Sequence, residues 1–230
     1  MHVILVPGLW LDASSWDAVI PSLERAGHTP HALTMPGVGL PAVESADIGI
    51  ADWVAAVVDE IDAVGEPVVL VGHSGGGNVV WGAAEARPDA VRRVIFVDTI
   101  PPHPKGIISE FPVVDGVVPF PGWDFFDDED VHDLDADTRA RTAPRTRSVP
   151  ARVPTDPLTL AGHRRHRVPV TLLMGGMDDA TFRSAVAEWG AFGDEFASIG
   201  DAEIIRLGTA HWPQFSKPDA LGEALVAAIR

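Results

Sequence analysis

Cysteine is absent from all 230 residues, which excludes a disulfide scaffold, thiolate catalysis and cysteine-ligated zinc or iron–sulfur centres. Lysine is nearly absent too, with only Lys105 and Lys217 in the chain. Beside abundant Ala, Val, Gly, Asp and Arg, that scarcity reflects base composition of the genome rather than a salt-adapted surface. Positive charge as a whole is thin: 17 Lys+Arg stand against 33 Asp+Glu, a formal charge of −16. Such a field repels phosphate backbones, so nucleic acid is not an expected partner. No apolar run approaches the ~20 residues of a membrane span. The opening Met1-His2-Val3-Ile4-Leu5-Val6-Pro7 carries neither a basic n-region nor a cleavage-site pattern. The expectation is a cytoplasmic protein with no membrane partner. H-E-x-x-H, G-x-x-x-x-G-K-[ST] and a post-strand G-x-G-x-x-G are all missing. The Asp-rich run 124–137 also lacks the D-x-[DN]-x-[DN]-G calcium-loop pattern. Neither a metal nor a cofactor is expected.

What is present is an ordinary globular balance, 46% hydrophobic and 22% charged. A chain of this length buries about 70–75% of the surface its unfolded form exposes, enough for one self-sufficient domain. Short apolar runs alternate with helical patterns, the signature of parallel βαβ units. Strands are expected at 2–6, 28–35, 67–72, 91–98, 168–174 and 203–207. The run 67–72 is continuously apolar, as a strand buried on both faces should be. Trp16, Val19, Ile20 and Leu23 share one helical face, with Ser14 or Ser15 as cap and Gly27 as stop. Further helices are expected around Trp53–Ile61, after 72 to about 87, near 182–189, and from about 216 onward with Leu221, Ala224, Leu225 and Ile229 inward.

Between about 101 and 167 the rhythm fails. Eight acidic residues fall in 124–137 and five arginines in 139–152, read as solvated faces that partly neutralise one another. A structureless loop of that length is improbable in a compact domain. Phe111, Phe120, Trp123, Phe125 and Phe126 provide apolar surface to bury. The segment is expected to form a small cap, giving a core of 1–102 and 168–230 with a lid at 103–167.

Gly72-His73-Ser74-Gly75-Gly76 matches G-x-S-x-G directly after the best strand and before a helix. A sharp strand-to-helix turn lifts a serine hydroxyl above the sheet edge, and its neighbours must be small because the backbone is crowded there. That hydroxyl is a weak nucleophile and needs a base. Of nine histidines, His211 follows the last expected strand, on the sheet edge where Ser74 emerges. His73 faces the other way across the turn and reads as a packing residue. His103, His132, His163 and His166 read as exposed residues in or beside the cap. A histidine base needs a carboxylate to orient it. Gly175-Gly176-Met177-Asp178-Asp179 offers two, and the spacing favours Asp178, leaving Asp179 to cap the next helix. Asp98, ending another strand, is the third candidate. Oxyanion donors are expected from the N–H groups of Gly75 and of Leu9, after the first strand. Trp10, Trp123, Phe125 and Trp212 are candidates for an apolar pocket or for the core.

Ser74, the Asp178/Asp179 pair and His211 stand in the order Ser…Asp…His. With the opening His2-Val3-Ile4-Leu5-Val6-Pro7-Gly8-Leu9-Trp10 and the closing Gly-x-x-His-Trp-Pro, the chain resembles the α/β-hydrolase superfamily. It looks most like the compact branch of esterases, methylesterases and hydroxynitrile lyases. The resemblance covers 1–102 and 168–230 and implies an α/β fold with an eight-stranded, mostly parallel sheet, helices on both faces, a lid and no cofactor. One departure is Pro7, where many members carry His before the oxyanion glycine. The expected activity is hydrolysis of a small hydrophobic ester or related acyl compound through an acyl-enzyme on Ser74. A lyase or cofactor-independent C–C bond enzyme is the alternative, weakened because related lyases use a cavity lysine and only Lys105 lies near the cap. A non-catalytic ligand-binding member is the third reading.

Overall fold

A computed structural model describes residues 1–229. The strands are β1 (His2–Val6), β2 (Thr29–Ala32), β3 (Val68–His73), β4 (Val91–Val97), β5 (Val117–Val118), β6 (Val149–Pro150), β7 (Val170–Met174) and β8 (Ala202–Arg206). The helices are α1 (Ile20–Arg25), α2 (Ala42–Ser45), α3 (Ile50–Val64), α4 (Gly76–Ala86) and α5 (Asp128–Val131). They continue with α6 (Ala136–Thr142), α7 (Asp179–Val186), α8 (Ala191–Ala197), α9 (Pro213–Ser216) and α10 (Pro218–Ala228). None is long and apolar enough to cross a membrane.

Six strands form one wholly parallel sheet in the order β2-β1-β3-β4-β7-β8. The eight strands implied by the resemblance are therefore not all in the sheet. β5 and β6 pair separately and antiparallel, within the segment between β4 and β7. Every residue of β3 is buried, because helices cover both faces of a parallel sheet. Alternate residues serve two cores. Ile4, Val6, Val68 and Leu70 meet Trp53, Val57 and Trp81 of α3 and α4. Val3, Leu5, Val69 and Val71 meet Leu23 of α1 and Leu221 and Leu225 of α10 on the opposite side. The chain runs from β1 to β2 in one direction and then returns to place β3 on the other side of β1. That reversal opens a crevice beyond the C-terminal ends of β1 and β3.

The Trp16–Leu23 stripe is inward as expected, but not on one helix. Ala13–Trp16 is a single 3-10 turn, and α1 starts only at Ile20, with Pro21 in its first turn. Asp12, not Ser14 or Ser15, caps the 3-10 turn by accepting from the Ser14 N–H. Gly27, at φ +80°, ends the unit. The helix expected near 182–189 is α7, which ends at Val186, and a further helix not expected from the sequence, α8, follows Gly190 at φ +56°.

The segment 101–167 is folded, with α5, α6, the β5–β6 ribbon and short 3-10 turns. Trp123 packs with Val131 and Leu134 against Leu11 and Trp212 of the surrounding chain. The Arg147 N–H donates to the Trp10 carbonyl (2.8 Å), and the Ile108 N–H to that of Pro154 (2.9 Å). Nearby, Arg165 is 1% exposed and donates from Nε and Nη2 to Glu195 at 2.8 and 2.7 Å. Trp81 Nε1 donates to the same carboxylate at 2.8 Å, and His166 Nε2 lies 3.0 Å from it. His166 thus belongs to a buried polar network, not the exposed surface expected of it. Replacing Glu195 by Ala leaves Arg165 Nε and Nη2 and Trp81 Nε1 without their acceptor, with Glu85 Oε2, 3.1 Å from Arg165 Nη1, still balancing the guanidinium. Denaturant unfolding should show a loss of about 2–3 kcal/mol from the unmet buried donors, and a loss below about 1 kcal/mol would mean that solvent or Glu85 meets them.

Candidate active site

The crevice gathers the ends of three adjacent strands. Parallel register aligns Val6 of β1 with Gly72 of β3, and His73 of β3 with Val97 of β4. The residues just past these strands leave ordinary backbone geometry: Trp10 at φ +65°, Ser74 at +51° and Asp98 at +46°. Left-handed backbone at a non-glycine residue is costly and survives only where surrounding structure over-determines it. Around Ser74 the crowding is direct. A Cβ on Gly72 would stand 2.6 Å from the Gly76 carbonyl oxygen, and one on Gly76 would stand 2.6 Å from that of Pro7. The small residues flanking the serine are thus required by sterics.

Ser74 Oγ lies 2.9 Å from His211 Nε2, and His211 Nδ1 lies 2.6 Å from Asp98 Oδ2. With the Asp98 carboxylate accepting from Nδ1–H, Nε2 is left to accept the serine proton. Asp98 Oδ1 accepts from the Gly175 N–H at 2.8 Å. Burial by itself pushes the Asp98 carboxyl up, but the hydrogen bond and charge of His211 with the Gly175 N–H outweigh it, leaving the pKa lowered.

The carboxylate beside His211 is therefore Asp98, the third candidate, and not the favoured Asp178. Asp178 is exposed and caps α7, accepting from the Thr181 N–H at 2.9 Å. That bond lowers its pKa. Asp179 pairs with Arg183 one turn on at 2.8 Å. Gly175-Gly176, taken as a device for presenting Asp178, serves Asp98 instead. A Cβ on Gly175 would come 2.5 Å from the Thr209 carbonyl oxygen and 3.0 Å from Asp98 Oδ1. The glycine makes room for the carboxylate and donates to it.

His73 is buried and turned away from the Ser74 hydroxyl, and it does more than fill space. Its Nε2 donates to the His211 carbonyl at 2.7 Å, and its Nδ1 lies 3.2 Å from Gln214 Nε2. Burial first, then the charge of His211, push its pKa down to about 3. It stays neutral and ties the His211 loop to the end of β3. From the other side, the His211 N–H donates to the Asp130 carbonyl (3.0 Å) and the Ala210 N–H to Asp133 Oδ2 (2.9 Å).

A cavity of about 310 Å³ opens over Ser74. Leu9 and Gly75 line it, and neither N–H donates to another protein group among the described residues. Trp10, Phe125 and Trp212 line it as well. Trp123 does not: its indole N–H donates to the Arg139 carbonyl and its ring abuts Trp212 from behind. Phe111 and Phe126 form further aromatic wall, and Asn78, Thr99, Ser109 and Asp130 bring polar atoms. These residues carry no motif that marks them in the sequence. Among the described residues no group of three His, Asp or Glu side chains is placed to hold a metal ion.

The comparisons with known proteins place the chain in a family. A model of the alpha/beta hydrolase family matches residues 3–224, and the chain belongs to that family. Among curated relatives, it is 38% identical over 100 residues to Esterase PIR7B of Oryza sativa subsp. japonica, covering 42% of this chain and 37% of that protein. It is 33% identical over 107 residues to Methylesterase 8 of Arabidopsis thaliana, covering 45% and 39%. These matches span well under half the length of either relative. A solved extracellular alpha/beta-hydrolase from a Paenibacillus species superposes with TM-score 0.78 at 20% identity, covering 99% of this chain and 98% of that one. Tomato methylketone synthase I superposes at 0.74 with 17% identity, covering 99% and 96%.

The depressed pKa of His73 has a consequence for stability. Unfolded, its imidazole takes a proton near 6.5; folded, only near 3. Between those values the unfolded chain holds more protons, so stability falls as pH is lowered through that window. Urea midpoints measured from about pH 7 to about pH 4 should fall in wild type and fall less in His73→Gln. Equal pH dependence in the two proteins would show that His73 is accessible to protons in the folded state.

Proposed function

We propose that the chain is a serine hydrolase that cleaves a small, apolar carboxylic ester through an acyl-enzyme on Ser74. The Ser74–His211–Asp98 relay beneath an aromatic cavity is the observation that carries this reading. Ester-cleaving names among the relatives support it.

The Ser74 hydroxyl passes its proton to His211 Nε2 as Oγ attacks the ester carbonyl carbon. Asp98 holds the ring in the required tautomer and offsets the charge on the imidazolium. The carbonyl oxygen becomes an oxyanion and accepts from the unengaged N–H groups of Leu9 and Gly75. Pre-set donors of this kind stabilise the transition state by roughly 3–4 kcal/mol each. The tetrahedral species collapses, the alcohol leaves with the proton from His211, and the acyl group stays on Ser74. Water, deprotonated by His211, then releases the acid.

The segment 103–167 acts in this scheme as the cap. Its Phe111, Phe125 and Phe126 wall the cavity, excluding water and matching an apolar substrate. No lysine lines the cavity, so the lyase reading gains nothing from the structure.

Ser74→Ala should abolish hydrolysis of p-nitrophenyl esters and fluorophosphonate labelling, a fall in kcat of about 10⁶-fold, with the circular-dichroism melt preserved. Retained turnover would remove Ser74 from the mechanism. Asp98→Asn should lower kcat by about 10⁴-fold. Asp178→Ala should instead leave turnover within about twofold and lower stability slightly through the lost cap. The reverse ranking of the two aspartates would reject the assignment.

A further inference from the structure

The proposed hydrolase reading leaves one group in the cavity unused. Asp130, on α5, lines the cavity over Ser74 and also an adjoining one of about 450 Å³ that reaches Asp98 and His211. Its backbone is fixed: the N–H donates to the Asp127 carbonyl (2.9 Å) and the carbonyl accepts from His211 (3.0 Å). Its carboxylate makes no hydrogen bond or ion pair among the described residues. Half-buried acids are normally paired, because desolvating a carboxylate without a partner is costly. No arginine or lysine lines either cavity, so the protein itself offers no fixed cation to meet this charge.

The rest of the wall fits the missing partner. Trp10 meets Phe111 edge-on at 4.7 Å between centroids, and Phe126 meets Trp212 edge-on at 4.7 Å. Aromatic rings draw cations, quaternary ammonium groups above all, through their negative faces. A carboxylate beside such rings adds direct charge attraction in a partly desolvated space. The same arrangement repels an anionic ester.

We propose that Asp130 is a specificity-determining residue and that the cavity, among esters with an apolar body, favours those that also carry a cationic ammonium group and discriminates against those bearing a carboxylate. Burial and the charges of Asp98, Asp127 and Glu129 push the Asp130 carboxyl above its ordinary pKa, against the pull of His211. A bound cation reverses that strain. The charge of −16 over the whole chain draws the same class of substrate in from solution.

The test uses three phenyl acetates that differ only in the para substituent: trimethylammoniomethyl, methyl or carboxylate. In wild type, kcat/KM should rank cationic above neutral above anionic. Asp130→Asn, which keeps size and polarity, should lower the cationic-to-anionic ratio of kcat/KM by about a hundredfold, roughly tenfold from each side. An equal factor on all three esters, or none, would overturn the proposal, since a merely structural role does not sort by charge. Binding of benzyltrimethylammonium and benzoate, followed by the change in total tryptophan fluorescence to which the cavity-lining Trp10 and Trp212 contribute, reads the same preference without turnover. A cation preference that weakens in Asp130→Asn, with no ester cleaved by wild type, would uphold the proposal and reject the hydrolase reading. Cleavage of the neutral ester with neither ratio changed would do the opposite.

Discussion

The site depends on a carboxylate with both oxygens engaged. Asp98 accepts from the Gly175 N–H through one oxygen and from His211 Nδ1 through the other, at 2.8 and 2.6 Å. The first bond links the ends of β4 and β7, so the orientation of the imidazole is set by two neighbouring strands of the sheet. Because the carboxylate is held ionised against the cost of burial, it fixes one tautomer of His211 and frees the other nitrogen for Ser74. His73 completes the arrangement by holding the backbone of the same histidine.

A parallel sheet is well suited to this task. Its strands all end at one rim, and β1 and β3 part there because the order of the sheet reverses. Strain collects at the same place, with three non-glycine residues in left-handed geometry. The stability needed to hold them comes from elsewhere, in the two apolar cores that sandwich β3. The buried Arg165–Glu195 cluster lies outside the cavity over Ser74. Its polar groups satisfy one another, and no chemistry is assigned to it.

The segment between β4 and β7 does two things at once. Its α5 accepts from the His211 N–H, and Asp133 just beyond accepts from the Ala210 N–H, so the His211 loop is held from outside as well as from the sheet. Its phenylalanines form much of the cavity wall. One segment therefore both holds the backbone of His211 and lines the cavity over Ser74. The charge of Asp130 falls at the junction of those two roles.

Local order along the chain was enough to place Ser74 and His211 together at one rim. The apolar run 67–72 needs burial on both faces, the glycines after it permit only a tight turn, and the loop after the last strand returns to the same edge. Periodicity also identified the inward faces of α3 and α10, although the Trp16–Leu23 stripe proved to be carried by two pieces rather than one helix. The choice between Asp98 and Asp178 was not legible, because each follows a strand and each has a residue type suited to either role. It was decided by which strand end lies within hydrogen-bond reach of His211 and which aspartate faces the free N–H groups at the start of α7. The same holds for the cavity wall: Trp123 and Phe126 are three positions apart, yet one backs the wall and the other lines it. Periodic burial is a property of neighbours in sequence, whereas the direction of a single side chain depends on partners a hundred residues away, and only the folded chain brings those together.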